Sequence, residues 1–324
     1  MRALVTGAAG FIGSHVAATL AAGGAEVRAF DRVEPADPPA GVEPVAGDIR
    51  NRPALERAID GCDTVFHLAA LYSYDRSAGA EMEAVNVAGT RAVLEAAARG
   101  SARRRVIHTS SCATCGPVEG RAATEADSPP TWELAIPYKR TKLEGERLAL
   151  RAAEDGLDVV VLNPTTPVGP GDRGPTPTGK MVADVATGRA RAYLAGGALN
   201  VVAVEDVAIG HLLAYERGRS GERYLLGGEN LTMREVFAIV AEAAGRRPPR
   251  VPVPWRLAYA AARAADFGLG LLGRKPSLLV LDEVRLARLP MTFDDVKARR
   301  ELGYRARPAA EALAAAARGA LAGL

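Results

Sequence analysis

The sequence predicts an α/β protein built on a doubly wound parallel sheet, followed by a smaller, mostly helical C-terminal region. Three observations carry this. From residue 1 to about 165, short β-branched runs alternate with alanine-rich helical stretches, the rhythm of a parallel sheet buried between two helical layers. A glycine-punctuated turn, "VTGAAGFIGSH", directly follows the first run. The Pro- and Gly-dense block "NPTTPVGPGDRGPTPTGK" at 163–180 then breaks the rhythm and marks a border.

Taken in order, the buried strands are expected in "RALVTG", "EVRAFD", "VEPVAGD", "DTVFHLAA", "RRVIHTSS" and "LDVVVLNP", with helices at 11–23, 52–60, 81–99 and 138–155. A strand and helix within "NVVAVEDVAIGHLLAYE" (200–216) and a short strand at "RYLLGG" are expected to return to the same sheet. Thr232 and Glu235 have capping-box spacing for a helix running through Ala244. Segment 255–273 reads as an amphipathic helix, because Arg256, Arg263 and Asp266 interrupt its apolar run at a cost no membrane span would tolerate. It could roof an apolar pocket or simply pack. An alanine-rich helix from Ala309 closes the chain. The expected division is a dinucleotide-binding part, 1–167 with 200–227 returning to it, and a substrate-binding region of 168–199 and 228–324.

Composition narrows the class. The 324 residues are 48% hydrophobic, ample for a sizeable core, and 41 basic against 38 acidic residues give a formal charge of +3, too small to suggest a nucleic-acid surface. Arg103–Arg105 read as the solvated start of a strand. "MRALV" is too short for a signal-peptide core and three cysteines form no disulfide framework, so a cytoplasmic address is expected.

The first motif with chemistry in it is the glycine turn. Gly7, Gly10 and Gly13 stand between a strand and a helix, where glycine lets the turn tighten, the backbone approach a pyrophosphate and the helix pack on the strand. Phe11 and Ile12 complete that helix start. "FGLGLLG" (Gly268, Gly270, Gly273) matches a dinucleotide motif by letters, yet no strand feeds it, so it is read as structural. Asp31, ending the second strand, is placed to accept from the ribose hydroxyls of NAD. Arg32 beside it could instead hold the 2′-phosphate of NADP. Asp48-Ile49 follow the third strand, where the acid could meet an adenine or cap a helix.

"YKRTK" puts Tyr138 and Lys142 at i and i+4, on one face of a helix. An ammonium near the phenol is expected to pull its pKa down from about 10, so that Tyr138 can exchange a proton near neutral pH. Further upstream, "TSSCATCG" offers a competing pair, the C-x-x-C of Cys112 and Cys115. A zinc site there would need two more ligands, and the four histidines offer no matching spacing. No metal is expected.

Together "TGAAGFIG", "GDIRN", "HLAA", "NVAGT", "TSSCATCG", "YKRTK", "NPTTPVGP" and "ELGYRARP" resemble the extended short-chain dehydrogenases/reductases of the NAD-dependent epimerase/dehydratase family, over essentially the whole chain. Within that group the sequence is most similar to hopanoid-associated sugar epimerases and dihydroflavonol-reductase-like proteins. The resemblance implies a Rossmann-type sheet and hydride transfer between a nicotinamide and a carbon bearing a hydroxyl or carbonyl. By position it puts the catalytic serine on Ser111, the acid/base on Tyr138, and the ribose-binding lysine on Lys142. It also puts Leu68, Ala69, Ala70 and Thr109 beside the cofactor, and Asn163, Pro164 and Val168 near the nicotinamide. Asn86 would support the strand bearing Ser111 or hold a helix bend. A homodimer through helices 81–99 and 138–155 is implied as well.

Departures from the family refine the expectation. Where dehydratases carry an Asp-Glu pair, this chain has Cys112-Ala113; where nucleotide-sugar epimerases commonly have an arginine, it has Leu199-Asn200, leaving Arg288 as the remaining phosphate ligand. An alcohol, ketone or terpenoid-like substrate is therefore favoured over a nucleotide sugar. Three readings stand: a net dehydrogenase or reductase, an epimerase that oxidises and re-reduces one carbon, and a catalytically silent dinucleotide sensor.

Overall fold

The computed structural model describes residues 1–34, 38–99, 104–174, 176–271 and 281–322, with side chains in the fourth stretch to Phe267. The chain opens with β1 (Arg2–Thr6), α1 (Phe11–Ala22), β2 (Glu26–Asp31), β3 (Val42–Ala46), α2 (Arg52–Ile59) and β4 (Thr64–His67). A composite helix follows: α3 (Gly79–Met82), a π-helical stretch over Glu83–Gly89, and α4 (Thr90–Ala98). Then come β5 (Arg105–Thr109), α5 (Pro137–Glu154) and β6 (Asp158–Pro164). The remainder is β7 (Thr166–Val168), α6 (Pro177–Ala186), β8 (Ala192–Leu194), β9 (Ala198–Ala203), α7 (Val204–Arg217) and β10 (Arg223–Leu226). It continues through β11 (Glu229–Thr232), α8 (Met233–Ala243), β12 (Val251–Val253), α9 (Trp255–Leu271), α10 (Leu281–Leu286), α11 (Val296–Leu302) and α12 (Ala309–Ala322).

Seven parallel strands form a Rossmann-type sheet in the order β10-β6-β5-β4-β1-β2-β3. Its central strands are covered on both faces: β4 is buried at every position, its polar Thr64 and His67 included, and Val159–Leu162 of β6 are wholly inaccessible. One face packs Ala3, Val5, Phe66, Ile107 and Val160 against α1 and α7; the other packs Leu4, Val65, Val106, Val159 and Val161 against α2, α4 and α5. A third apolar cluster joins Val168, Val185, Val201, Phe237 and Leu313 in the C-terminal region.

Two expectations change. The strand near residue 200 does not return to the main sheet: β9 pairs with β7 and β11 in a separate three-stranded sheet, because β7 branches away directly after β6 and supplies a closer parallel edge. Only α7 and β10 rejoin the first sheet. Arg104 and Arg105 are not solvated. Arg104 is 9% exposed and donates to the Cys62 carbonyl at 3.1 Å, while Arg105, partly buried, donates to the Gly218 carbonyl, so both guanidiniums at the start of β5 are held by backbone acceptors; Arg103 lies outside the described residues. Gly268 and Gly270 sit inside α9, and Gly273 lies outside the described residues. The capping box is as read: Thr232 and Glu235 each bond the other's backbone N–H.

Candidate active site

The glycine turn is a cradle without room for side chains. Gly7 has φ +73°, and a Cβ there would lie 2.6 Å from the Ala69 nitrogen; a Cβ on Gly13 would lie 2.0 Å from the Gly7 carbonyl oxygen. Gly10 caps α1 with no side chain, which leaves the first-turn N–H groups free to meet an anion. Asp31 crosses from β2 and accepts from Ala9 N at 3.0 Å, so its carboxylate is fixed at the cradle's edge. Arg32 is exposed and turned toward Glu81, 3.8 Å away. Asp48 does not cap α2. Its carboxylate is held below the usual range by hydrogen bonds from Arg50, while Asn51 supplies the cap by accepting from Ala54 N at 3.2 Å. Ile49 is buried among the residues under α2.

A cavity of about 510 Å³ runs from this cradle across the C-terminal ends of β4, β5 and β6. Gly7, Gly10, Phe11, Ile12, Gly13, Leu68, Ala70, Thr109, Ser111, Tyr138, Lys142 and Pro164 all line it. Asp31, Arg32, Asp48, Ile49, Ala69, Asn86, Asn163 and Val168 lie outside its lining, and for several the reason is visible. Val168 packs in the third core cluster. Asn163 is fully buried and its amide donates to the Ser111 carbonyl (3.1 Å), to Thr114 Oγ1 (2.9 Å) and to Glu146 Oε2 (2.6 Å). It steadies the serine's segment rather than facing the cavity. Asn86 grips the backbone of Leu71 both ways, at 2.7 and 3.0 Å, and donates to Thr141 Oγ1 at 3.1 Å. It therefore supports the segment after β4 and α5, not the strand bearing Ser111, and it does so from the π-helical stretch.

On α5, Tyr138, Lys142 and Glu146 repeat at i, i+4 and i+8. Lys142 Nζ donates to the Thr109 carbonyl at 2.8 Å; burial pulls its ammonium down to about 8, with Glu146 working the other way. Thr109 in turn donates to His211 Nε2 at 2.8 Å, since His211 Nδ1 is committed to the Val207 carbonyl. The Tyr138 phenol is pushed up by burial and by Tyr72, and a hydrogen bond with Ser111 partly opposes this. The expected lowering by Lys142 is not what this arrangement produces, because the ammonium is spent on Thr109 and desolvation of the phenol is the larger effect.

Sequence reasoning missed several contributors. Tyr72 and Tyr74, in "LYSYD", pack against Tyr138, one tilted and one edge-on, with ring centroids 4.4 and 5.9 Å away; two tyrosines at i and i+2 just past "HLAA" were the available signal. Glu146 was legible as the next i+4 step of Y-x-x-x-K. Lys139 is buried, paired with Glu133 and donating to the Gly116 carbonyl at 3.0 Å, which ties α5 to the segment after Ser111. The cysteine pair behaves as ordinary core: burial pushes the Cys112 thiol up to about 12 and raises Cys115 as well, so neither is a thiolate near neutral pH.

The cavity's far wall is apolar, with Met181, Leu194, Leu199, Leu286, Leu289 and Met291. Among the described residues lining the cavity, the charged ones are Lys139, Lys142 and Glu283. Arg288 stands over the Trp255 ring at 5.9 Å instead of lining it, and Asn200 is consumed by Gly228, Asn230 and Phe293.

The NAD dependent epimerase/dehydratase family matches residues 3–227. The chain is 37% identical to a putative dihydroflavonol 4-reductase of Synechocystis sp., covering 92% of this chain and 88% of that protein. It is 35% identical to sterol demethylase protein B of Methylococcus capsulatus (94% and 93% covered). With a 4-hydroxy-2-methyl-3-oxo-4-farnesyl-3,4-dihydroquinoline-1-oxide ketoreductase of Stigmatella aurantiaca it shares 34% (95% and 92%). Among solved structures, gox2253 superposes with a TM-score of 0.83 at 36% identity (98% and 97% covered). The Thermus thermophilus UDP-glucose 4-epimerase complex with NAD superposes with 0.76 at 27% identity, both chains covered completely.

Proposed function

Because the chain belongs to the NAD-dependent epimerase/dehydratase family of extended short-chain dehydrogenases/reductases, we propose that it interconverts a secondary alcohol and a ketone on an apolar substrate, with NAD as redox partner. One observation carries this: a single cavity holds the glycine cradle, Ser111, Tyr138 and Lys142 at one end and an arginine-free apolar wall at the other. A diphosphate buried there would meet no guanidinium among the described lining residues. The named substrates of the sterol- and farnesyl-handling relatives fit the same chemistry.

The residues fit NAD, since a turn packed too tightly for any Cβ at Gly7 or Gly13 leads into a helix N-terminus with no side-chain cap, and Asp31 offers its carboxylate to ribose hydroxyls. Arg32, turned toward Glu81, supports NAD over NADP. Bound NAD supplies hydride exchange at the nicotinamide. Ser111 would hold the substrate oxygen by hydrogen bonding. Tyr138, whose phenol is kept protonated, would donate a proton to the developing alkoxide, so reduction is the direction its resting state serves directly. Lys142, oriented by Thr109, would bind the nicotinamide ribose. The cofactor side comprises 1–167 with α7 and β10, and the rest shapes the substrate end. A homodimer through α3–α4 and α5 follows the family pattern, and three free, buried cysteines support a reducing, cytoplasmic setting.

The test is turnover with NADH and a panel of hydrophobic ketones, followed at 340 nm. Cofactor consumption that Ser111→Ala and Tyr138→Phe abolish supports net reduction. Protein that keeps NAD through gel filtration and converts substrate with no change at 340 nm is an epimerase, and the net-redox reading fails.

A further inference from the structure

We propose that the outer face of α9 is a docking surface for an anionic lipid bilayer, holding the protein at a membrane without spanning it. The face is unusual for a surface helix. Leu257 is 62% and Phe267 72% exposed, whereas Ala258 and Ala262 are buried against the protein. At 100° per residue, Arg263, Arg256, Phe267 and Ala260 share an arc of about 60°, and Ala264, Leu257 and Ala261 extend it. All seven side chains are exposed. The result is an apolar stripe edged by two guanidiniums, the pattern of helices that lie in a lipid interface with aromatic and aliphatic side chains down and arginines at headgroup level.

Charge names the partner. Residues 246–267 hold five exposed arginines, Arg246, Arg247, Arg250, Arg256 and Arg263, against one acid, Asp266, in a chain whose net charge is only +3. A basic surface around exposed apolar side chains complements anionic headgroups over acyl chains, where each cation adds about 1 kcal/mol, a factor of about five in partition. The helix is also anchored for load: Trp255 Nε1 donates to the Val284 carbonyl at 2.6 Å, and its ring stacks on Tyr259 with centroids 5.0 Å apart. Through that anchor α9 backs α10, whose Glu283 and Leu286 line the cavity. Membrane docking would thus present the capping helices of the cavity to a lipid phase, the reservoir of water-insoluble ketones or alcohols. No helix of the described residues is long and apolar enough to cross a bilayer, so docking is peripheral.

The full chain should co-float with vesicles of phosphatidylcholine containing about a third phosphatidylglycerol, and not with pure phosphatidylcholine, binding more weakly as salt rises. Arg256→Gln with Arg263→Gln should cut the partition roughly thirtyfold, and Leu257→Glu with Phe267→Glu should abolish it, both variants keeping the wild-type far-UV spectrum and melting temperature. Absence of flotation by the wild type, equal binding to neutral vesicles, or variants that bind as the wild type would each overturn the proposal. So would a fall in molar mass by light scattering in the Leu257/Phe267 variant with lipid binding unchanged, which would make the face a contact between copies. None of these readouts uses turnover, so they stand or fall apart from the assignment of substrate.

Discussion

At the residue scale the cavity is governed by desolvation. Tyr138 sits among Tyr72, Tyr74 and the serine's segment, and burial holds its phenol protonated. Ketone reduction should therefore be nearly flat across neutral pH, while oxidation of the matching alcohol, which needs the deprotonated phenol, should rise about tenfold per pH unit from pH 6 to 8. Paired initial-rate profiles at 340 nm check this, and a flat oxidation limb would contradict the protonated resting state. Tyr138→Phe should lower kcat by roughly 10²–10⁴ in either direction with NAD affinity retained. Buried histidines set the acid limit of the fold. His67 is held down to about 3 and His211 to about 4 by burial, and His108 is lowered as well. Above their ordinary value of about 6.5 all are neutral in both states. As pH falls below that, the unfolded chain takes up protons that the folded chain refuses, so stability drops by about 1.4 kcal/mol per pH unit per histidine until the folded values are reached. Urea unfolding between pH 6 and 4.5 should show a slope reduced by about a third in His211→Gln. An unchanged slope would remove that histidine from the account.

At the scale of elements, two small devices hold the site in register. The buried pair Lys139–Glu133 bridges α5 to the 131–135 turn, and the same ammonium holds the Gly116 carbonyl beyond Ser111, so the serine and tyrosine segments share one strut. Removing one partner leaves a buried charge alone, and Glu133→Leu is expected to cost about 3–5 kcal/mol in chemical denaturation. The contrasting case is the Thr232/Glu235 capping box on α8, exposed and local, where Thr232→Ala should cost about 1 kcal/mol and leave turnover untouched. The capping box could be read in four letters because both of its hydrogen bonds lie within one helical turn. The Lys139 strut could not, because Glu133 and Gly116 are brought to it by a turn and a loop whose paths no local pattern specifies.

For the whole molecule, cofactor and fold are linked. A ligand at a hundred times its Kd adds about 2.7 kcal/mol to stability, so saturating NAD should raise the melting temperature by several degrees, and NADP by less if Arg32 remains engaged with Glu81. Gly13→Ala must push a methyl toward the Gly7 carbonyl, which a Cβ would approach to 2.0 Å, so the NAD-dependent rise should vanish in that variant. Thermal shift with each dinucleotide measures both.

The amino-acid sequence by itself determined the alternation of six parallel strands with their helices, the turn of Gly7, Gly10 and Gly13, and the placing of Tyr138 and Lys142 on one face of α5, because each depends on spacings within one turn or one strand. Tertiary structure alone decided that the strand after residue 198 leaves the main sheet, that Asn86 and Asn163 brace backbone instead of lining the cavity, and that Tyr138 is held protonated. Those outcomes turn on which edge is free to pair and how much water is excluded. Both are set by contacts between residues tens to hundreds of positions apart, such as Thr109 with His211 and Leu199 with Met291.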